Sequence, residues 1–359
     1  MTHRPAMSGP SAGSAASAVS TTSAAPTRFR RWRVGAAAAA LAVVTALTGC
    51  STPTPHPSAA PGQSTIVGLT YIPNIQFAPF YVADHNAFYT SDVSVSLRHH
   101  GASEGLFNAL AADQEQFVVA GGDEILQARS QGIDIVAVAS YYGQYPARFI
   151  VPADSPITSV ADLAGRTVGI PGKFGENWFA LLIALKQAGL SESDVTIAEI
   201  GYTQQAALTT GKVDAVIGFA NSDVISFTSA GFPVRVIDPQ VPLVSICLAT
   251  TTTYAQDHPD IVAAVVAGMK QGMTTSLDDP DQTLTIAADY IPSFRGDTLA
   301  TAKLVLPATT ALFLGPDQTV SPPFDPAQWT QMADAMAAVG LIPEGTDPVA
   351  AYTNQYTGA

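Results

Sequence analysis

From Thr65 onward the chain alternates short apolar runs with stretches whose apolar residues recur at helical spacing. TIVGLT (65–70) leads into a helical pattern over 77–88, VSVSL (93–97) into one over 103–112, and FVVA (117–120) into one over 123–131. IDIVAVAS (133–140) closes this series. Short apolar strands, each followed by an amphipathic helix, predict a parallel α/β sheet. After the turn-rich PADSP the design repeats: ADLAGRTVGI then 176–188, VTIAEI then 203–210, VDAVIGF then 222–230, and PVRVID. An apolar crossing run at 243–250 follows, and the pattern then turns helical over 259–277, 281–290, 297–305 and 326–338. About 295 residues exceed what one compact core usually holds. The expectation is therefore an α/β protein of two lobes, 65–152 with 250–359 and 153–249, joined by two crossing segments around a central cleft.

The chain before Thr65 has a different character. Residues 1–49 contain Arg4, Arg28, Arg30, Arg31 and Arg33, no carboxylate, and an apolar run from Val34 to Leu47. This is the pattern of a signal peptide. The run is shorter than the roughly 20 residues of a spanning helix, and it ends in LTGC, which resembles a bacterial lipobox and implies cleavage before Cys50 with acylation of its sulfur. An ordinary small-residue cleavage site is the alternative. Sec export is the default, and the pair Arg30–Arg31 leaves the twin-arginine route open. With Cys50, residues 51–64, rich in Pro, Ser and Ala, read as a lipidated flexible tether.

Removing the leader changes the charge balance. The chain carries 16 basic and 29 acidic residues, and the five leader arginines leave 11 basic residues and a net charge of −18 in the mature part. Such a surface repels nucleic acid and anionic lipid. Attachment to the outer face of the cytoplasmic membrane then falls to the lipid on Cys50, where two acyl chains hold stably and one does not. Once Cys50 is acylated, Cys247 has no disulfide partner. Within LVSICLAT it reads as a buried, inert thiol.

Open α/β sheets bind ligands beyond the C-terminal ends of their strands. The turns at those ends are YIPN, GGDE and YYGQYP in the first series, and PGKFGENW, GYTQ and NSD in the second. They concentrate Tyr71, Phe77, Tyr141, Tyr142, Phe174, Trp178 and Tyr202, of which Tyr71, Tyr142, Phe174 and Trp178 are the best candidates to stack on a planar ligand. Residues 77–88 read instead as core at helical spacing. Gly172 and Gly175 allow a close backbone approach at a helix start, with Glu176 beside them either as ligand contact or as first-turn acid. Asn74, Asp123, Glu124, Asn221 and Asp223 offer polar groups to a nitrogen heterocycle, although each is also a good helix cap. His99 and His100 fall on opposite faces if they lie in a strand, which argues against a shared metal. No catalytic signature, cofactor motif or metal motif is visible.

Taken together and in this order, YIPNIQFAPFYVA, AGGDEILQAR, DLAGRTVGIPGKFGENW, GYTQQAALTTGKVDAVIGFANSD and YTNQY resemble the substrate-binding lipoproteins of ABC importers, in the thiamine-pyrimidine, riboflavin and alkanesulfonate-binding superfamily. The resemblance runs from about Thr65 to Tyr356. It implies a type II periplasmic-binding fold with hinge closure, a monomer without catalysis, and an ABC permease and ATPase as partners. The PN-x-QFAPFYVA form with GYTQ is most similar to members that bind riboflavin or a pyrimidine precursor of thiamine. Where that branch often shows Asn-Asn-Glu, this chain has Asn221-Ser222-Asp223. An alkanesulfonate, taurine or nitrate binder has the same fold but needs cations, for which only Lys173 and Arg148 offer themselves. A pyrimidine-synthase-like enzyme and a purely structural lipoprotein are the remaining alternatives.

Overall fold

The computed structural model describes residues 63–358 apart from 91, 102 and 103, all within one compact unit spanning 58–359. The leader 1–49, Cys50 and the tether as far as residue 62 lie outside the described residues. The first sheet is built from β1 (Gln63–Leu69), β2 (Val93–His99), β3 (Phe117–Gly121) and β4 (Val136–Ser140), with α1 (Ala78–His85), α2 (Asn108–Ala111) and α3 (Gly122–Ser130) between them. Next come β5 (Ala147–Pro152), β6 (Thr167–Ile170), α4 (Gly175–Gln187), β7 (Thr196–Glu199), α5 (Gln204–Thr209), β8 (Ala215–Phe219), α6 (Asp223–Ser229) and β9 (Val234–Ile237). The chain closes with β10 (Ile246–Thr250), α7 (Thr252–Asp257), α8 (Pro259–Asp278), α9 (Pro280–Ala287), α10 (Asp297–Leu312) and α11 (Pro326–Ala338). Among the described residues no helix is long and apolar enough to cross a membrane.

The strand orders are β2-β1-β3-β10-β4 and β7-β6-β8-β5-β9. Each sheet has a parallel set, β1 with β2 and β3 in one and β6 with β7 and β8 in the other. Each also has one antiparallel insertion, β10 between β3 and β4 and β5 between β8 and β9. The inserted strand is in both cases the first one after a crossing. Residues 147–152, assigned to the first lobe by pattern, are therefore β5 of the second sheet, and 246–249, assigned to the second lobe, belong to β10 of the first. Each crossing runs directly into an extended apolar strand, so no break in pattern marks where the chain changes sheets. Gln63 and Ser64, read as tether, extend β1 opposite Val93 and Ser94.

Helix α10 also outruns its expected end at 305 and continues through Pro307. A proline ring removes one helical hydrogen bond and crowds the preceding turn. Here α10 packs on α6, α8 and α9 and buries Val305, Leu306 and Leu312, so packing outweighs the local penalty.

The inner strand β3 is buried along its whole length, as expected of a strand covered on both faces, and so is β4, whose edge is covered by a bridge from Ala137 to Tyr352. One apolar cluster fills the first lobe around Phe80, Tyr81, Phe117, Tyr141 and Phe313. A second cluster unites α3 (Ile125, Leu126), α4 (Trp178, Phe179) and α11 (Trp329, Met332). It therefore joins the two lobes and sets the beginnings of α3 and α4 against each other.

Candidate functional site

β3 passes into α3 without a loop, so the sequence Gly122-Asp123-Glu124 begins the helix at the end of an inner strand. Asp123 is fully buried; its Oδ1 accepts from the Glu124 N–H at 2.8 Å and its Oδ2 from the Tyr145 hydroxyl at 2.7 Å. Glu124 folds back so that Oε2 accepts from the Gly121 N–H at 3.0 Å. Facing this turn, α4 of the second lobe opens with Gly175-Glu176-Asn177. Gly175 has φ of 67°, and a Cβ there would stand 3.0 Å from Glu124 Oε1, so both its backbone and its neighbour call for glycine.

Carboxylate oxygens of Asp123, Glu124 and Glu176 lie within 4.8 Å of one another. The Tyr145 hydroxyl also reaches the Glu176 backbone carbonyl at 3.0 Å, bridging the two lobes. Glu176 Oε1 is shut off from solvent with no hydrogen-bond partner. Burial raises all three carboxyl pKa values above the ordinary range, and mutual repulsion raises Glu124 and Glu176 further. The two cations weighed from sequence are occupied elsewhere. Lys173 pairs with Glu192 and lies 5.1 Å over the Trp178 ring, while Arg148 pairs with Asp238 at 3.3 Å and donates to the Tyr145 and Ala147 carbonyls. Spacing alone would admit a hard cation, but a cluster of acceptors served by one hydroxyl and two backbone N–H groups, with Glu176 Oε1 unpartnered, equally suits a ligand that presents N–H donors.

The aromatic candidates divide. Tyr71 and Tyr202 come from different lobes, and their ring centroids are 6.0 Å apart at 56°. Tyr202 is 63% exposed, Phe174 59% and Ile72 48%, so apolar side chains of both lobes remain open to solvent at these turns. Tyr142 and Trp178 are placed differently from the stacking role considered for them. Tyr142 is 3% exposed, stacked on Tyr141 at 5.1 Å with Phe313 beside it. Trp178, 7% exposed, belongs to the cluster joining the lobes. Neighbouring apolar groups cover both rings. Phe77 and Phe80 are core, as the spacing of 77–88 implied.

Of the polar candidates, Asn74 caps a short turn through Oδ1 to the Gln76 N–H at 3.2 Å. Its own N–H donates to the Tyr81 hydroxyl, which meets His99 Nε2 at 3.1 Å, while His99 Nδ1 donates to the Tyr71 carbonyl at 2.9 Å. His99 thus holds the turn that carries Tyr71, and burial lowers its pKa, in keeping with a neutral ring. His100 turns the other way, onto Glu115 at 2.9 Å. Asn221 is fully buried and donates to Thr309 at 3.0 Å and to the Tyr142 hydroxyl at 3.4 Å, leaving Oδ1 unpartnered. Asp223 curls back to accept from the Phe219 N–H at 2.7 Å, and burial pushes its pKa up to about 6. It closes the end of β8.

Tyr145 and Thr309 were not singled out from the sequence. Tyr145 stands in YYGQYP, already recognised as a cleft turn, but periodicity does not say which of three tyrosines faces the carboxylates. Thr309 follows Pro307 in a helix expected to have ended, so no signal pointed to it.

Two lobes of matching sheet design, with antiparallel insertions after each crossing and polar helix starts meeting between them, define the periplasmic-binding-protein fold. The chain belongs to the NMT1/THI5-like family, whose pattern matches residues 74–283. It is 31% identical over 338 residues to the riboflavin-binding protein RibY of Chloroflexus aurantiacus, covering 88% of this chain and 95% of that protein. The formylaminopyrimidine-binding protein of Halalkalibacterium halodurans is 25% identical over 62% of this chain and 69% of its own length. Among solved structures, the periplasmic aliphatic sulphonate binding protein SsuA of Escherichia coli superimposes with a TM-score of 0.65 at 19% identity, over 80% of this chain and 91% of that one.

Proposed function

We propose that the protein is the exported, lipid-anchored binding component of an ABC importer. It captures a planar vitamin-type heterocycle, riboflavin or a pyrimidine precursor of thiamine, between its lobes and delivers it to a membrane permease served by an ATPase. The observation that carries this reading is the cluster of Asp123, Glu124 and Glu176, with no facing cation among the described residues, and the Tyr71 and Tyr202 rings brought together from opposite lobes nearby. Clustered acceptors match a heterocycle edge rich in N–H groups, and flat rings match its faces. The near full-length similarity to a protein named for riboflavin binding supports the same class. A sulfonate would instead add a negative group to three carboxyls in a low-dielectric setting, which Coulomb repulsion disfavours.

Thermal-shift measurements on the purified protein with riboflavin, thiamine, thiamine pyrimidines, taurine and alkanesulfonates test the ligand class. A ligand at about 100 times its Kd adds roughly 2.7 kcal/mol of stability. Stabilisation by taurine or a sulfonate, with none by the heterocycles, would overturn the reading. Fatty-acid labelling tests the anchor: the parent takes up label, and Cys50→Ala does not.

A further inference from the structure

Asp123 and Glu124 belong to the first lobe and Glu176 to the second, so moving the lobes apart separates Glu176 from the other two. In the present arrangement they meet within 4.8 Å. Among the described residues, Asp123 accepts from the Tyr145 hydroxyl and the Glu124 N–H, and Glu124 accepts from the Gly121 N–H, so these donors are spent on the first lobe's two carboxylates. Glu176 Oε1 is left buried with no donor at all. Among the described residues, the titratable groups that sense the cluster's charge include Tyr142 and Tyr145 of the crossing, Tyr202 of the turn after β7, and Cys247 of β10. None of these is a cation, and the nearby Lys173 and Arg148 have acidic partners of their own.

We propose that drawing the two lobes together over Asp123, Glu124 and Glu176 takes up protons, with the Tyr145 hydroxyl holding the carboxylate that stays ionised. Apart, each carboxylate is solvated and ionised near neutrality. Together they share too few donors, so protonation supplies the missing ones and relieves the repulsion. Closure is then favoured at low pH and opposed as pH rises. A ligand that brings N–H donors substitutes for part of this protonation, and in that respect the inference rests on the binding reading above. Its core, the proton linkage of lobe closure, concerns the protein alone.

The test follows lobe separation in the ligand-free full chain by energy transfer between dyes on unnatural residues at Gln187, at the end of α4, and Gln282, in α9, both exposed. The expected result is a larger closed share at about pH 5 than at about pH 8, the interval between ordinary and raised carboxyl titration. Glu176→Gln should flatten this dependence, and Tyr145→Phe should lower the closed share at the higher pH. Equal separation at both pH values in the parent overturns the proposal. So does an undiminished pH response in both Glu176→Gln and Glu124→Gln, and so does closure that follows added calcium chloride at constant pH. Calorimetry with riboflavin in buffers of different ionisation enthalpy gives a second readout: affinity should fall up to about tenfold per pH unit for each proton taken up. Failure of riboflavin to bind counts against the vitamin reading, while the dye measurement decides the proton linkage by itself.

Discussion

The beginnings of α3 and α4 make an instructive pair. Both follow a strand of their own sheet, both place acids in the first turn, and they face each other across the lobes. In α3 each carboxylate is tied to a backbone N–H, and Asp123 also accepts from Tyr145. In α4 neither Glu176 Oε1 nor Asn177 Oδ1 has a partner, although both are shut off from solvent. The first lobe thus presents a finished surface held by its own backbone, and the second presents polar groups still short of bonds. A ligand or a proton has more to satisfy on the α4 side.

The largest effect expected from this contrast is on stability. Asp123→Ala strips acceptors from the Tyr145 hydroxyl and the Glu124 N–H, and should lower the unfolding free energy by about 2 to 3 kcal/mol in denaturant titration at neutral pH. Glu176→Ala removes a buried, unpartnered carboxyl that faces two others and should stay within about 1 kcal/mol of the parent. Equal losses in the two variants would break the contrast.

Next in size is Gly175→Ala. The left-handed backbone there should cost about 1 to 2 kcal/mol, with further loss from crowding of Glu124. Gly175→Asn, better tolerated in this region, should recover part of the backbone cost but not the crowding. Thermal unfolding of the two variants separates the contributions.

Proton linkage gives the third comparison. Folded-state pKa values of Asp123, Glu124 and Glu176 lie above their unfolded values. Their contribution is therefore most favourable below about pH 4, the unfolded range, and is lost as pH rises through the raised folded values toward and past neutrality. Each proton so linked contributes a slope of up to about 1.4 kcal/mol per pH unit. Unfolding free energies measured across this interval should fall less steeply in Glu176→Gln than in the parent. An identical slope would show that Glu176 does not share in the linkage.

The smallest stability effect belongs to Tyr202→Ala. Its exposed ring should leave unfolding within about 0.5 kcal/mol of the parent. Loss of the facing aromatic surface should nevertheless weaken binding of the ligand found by thermal shift by about 0.5 to 1.5 kcal/mol in calorimetry. If stability falls and affinity does not, Tyr202 serves the fold and not the cleft.

Much of the architecture is written in local pattern. Runs such as FVVA and VDAVIGF, followed by amphipathic stretches, announce strands and helices because burial on one or both faces dictates which positions are apolar. The change of sheet at β5 and β10 is not written there, since an antiparallel insertion and a parallel inner strand have the same apolar signature. The continuation of α10 past Pro307 is likewise hidden, because it depends on helices distant in sequence.

The candidate site shows the same division at the level of single residues. Composition and spacing by themselves determined that GGDE and PGKFGENW stand at the ends of strands, that 77–88 turns its rings inward, and that the globular part carries a strong negative charge. Only tertiary structure decided that Glu176 meets Asp123 and Glu124, that Tyr145 among three neighbouring tyrosines supplies their hydroxyl, and that Trp178 is packed between the lobes while Tyr202 stays open. The physical reason is one of range. Backbone preference and amphipathic spacing act within a few residues and can be read along the chain. Desolvation, charge repulsion and hydrogen-bond completion depend on which distant groups arrive within a few ångströms, and only the packed lobes bring them there.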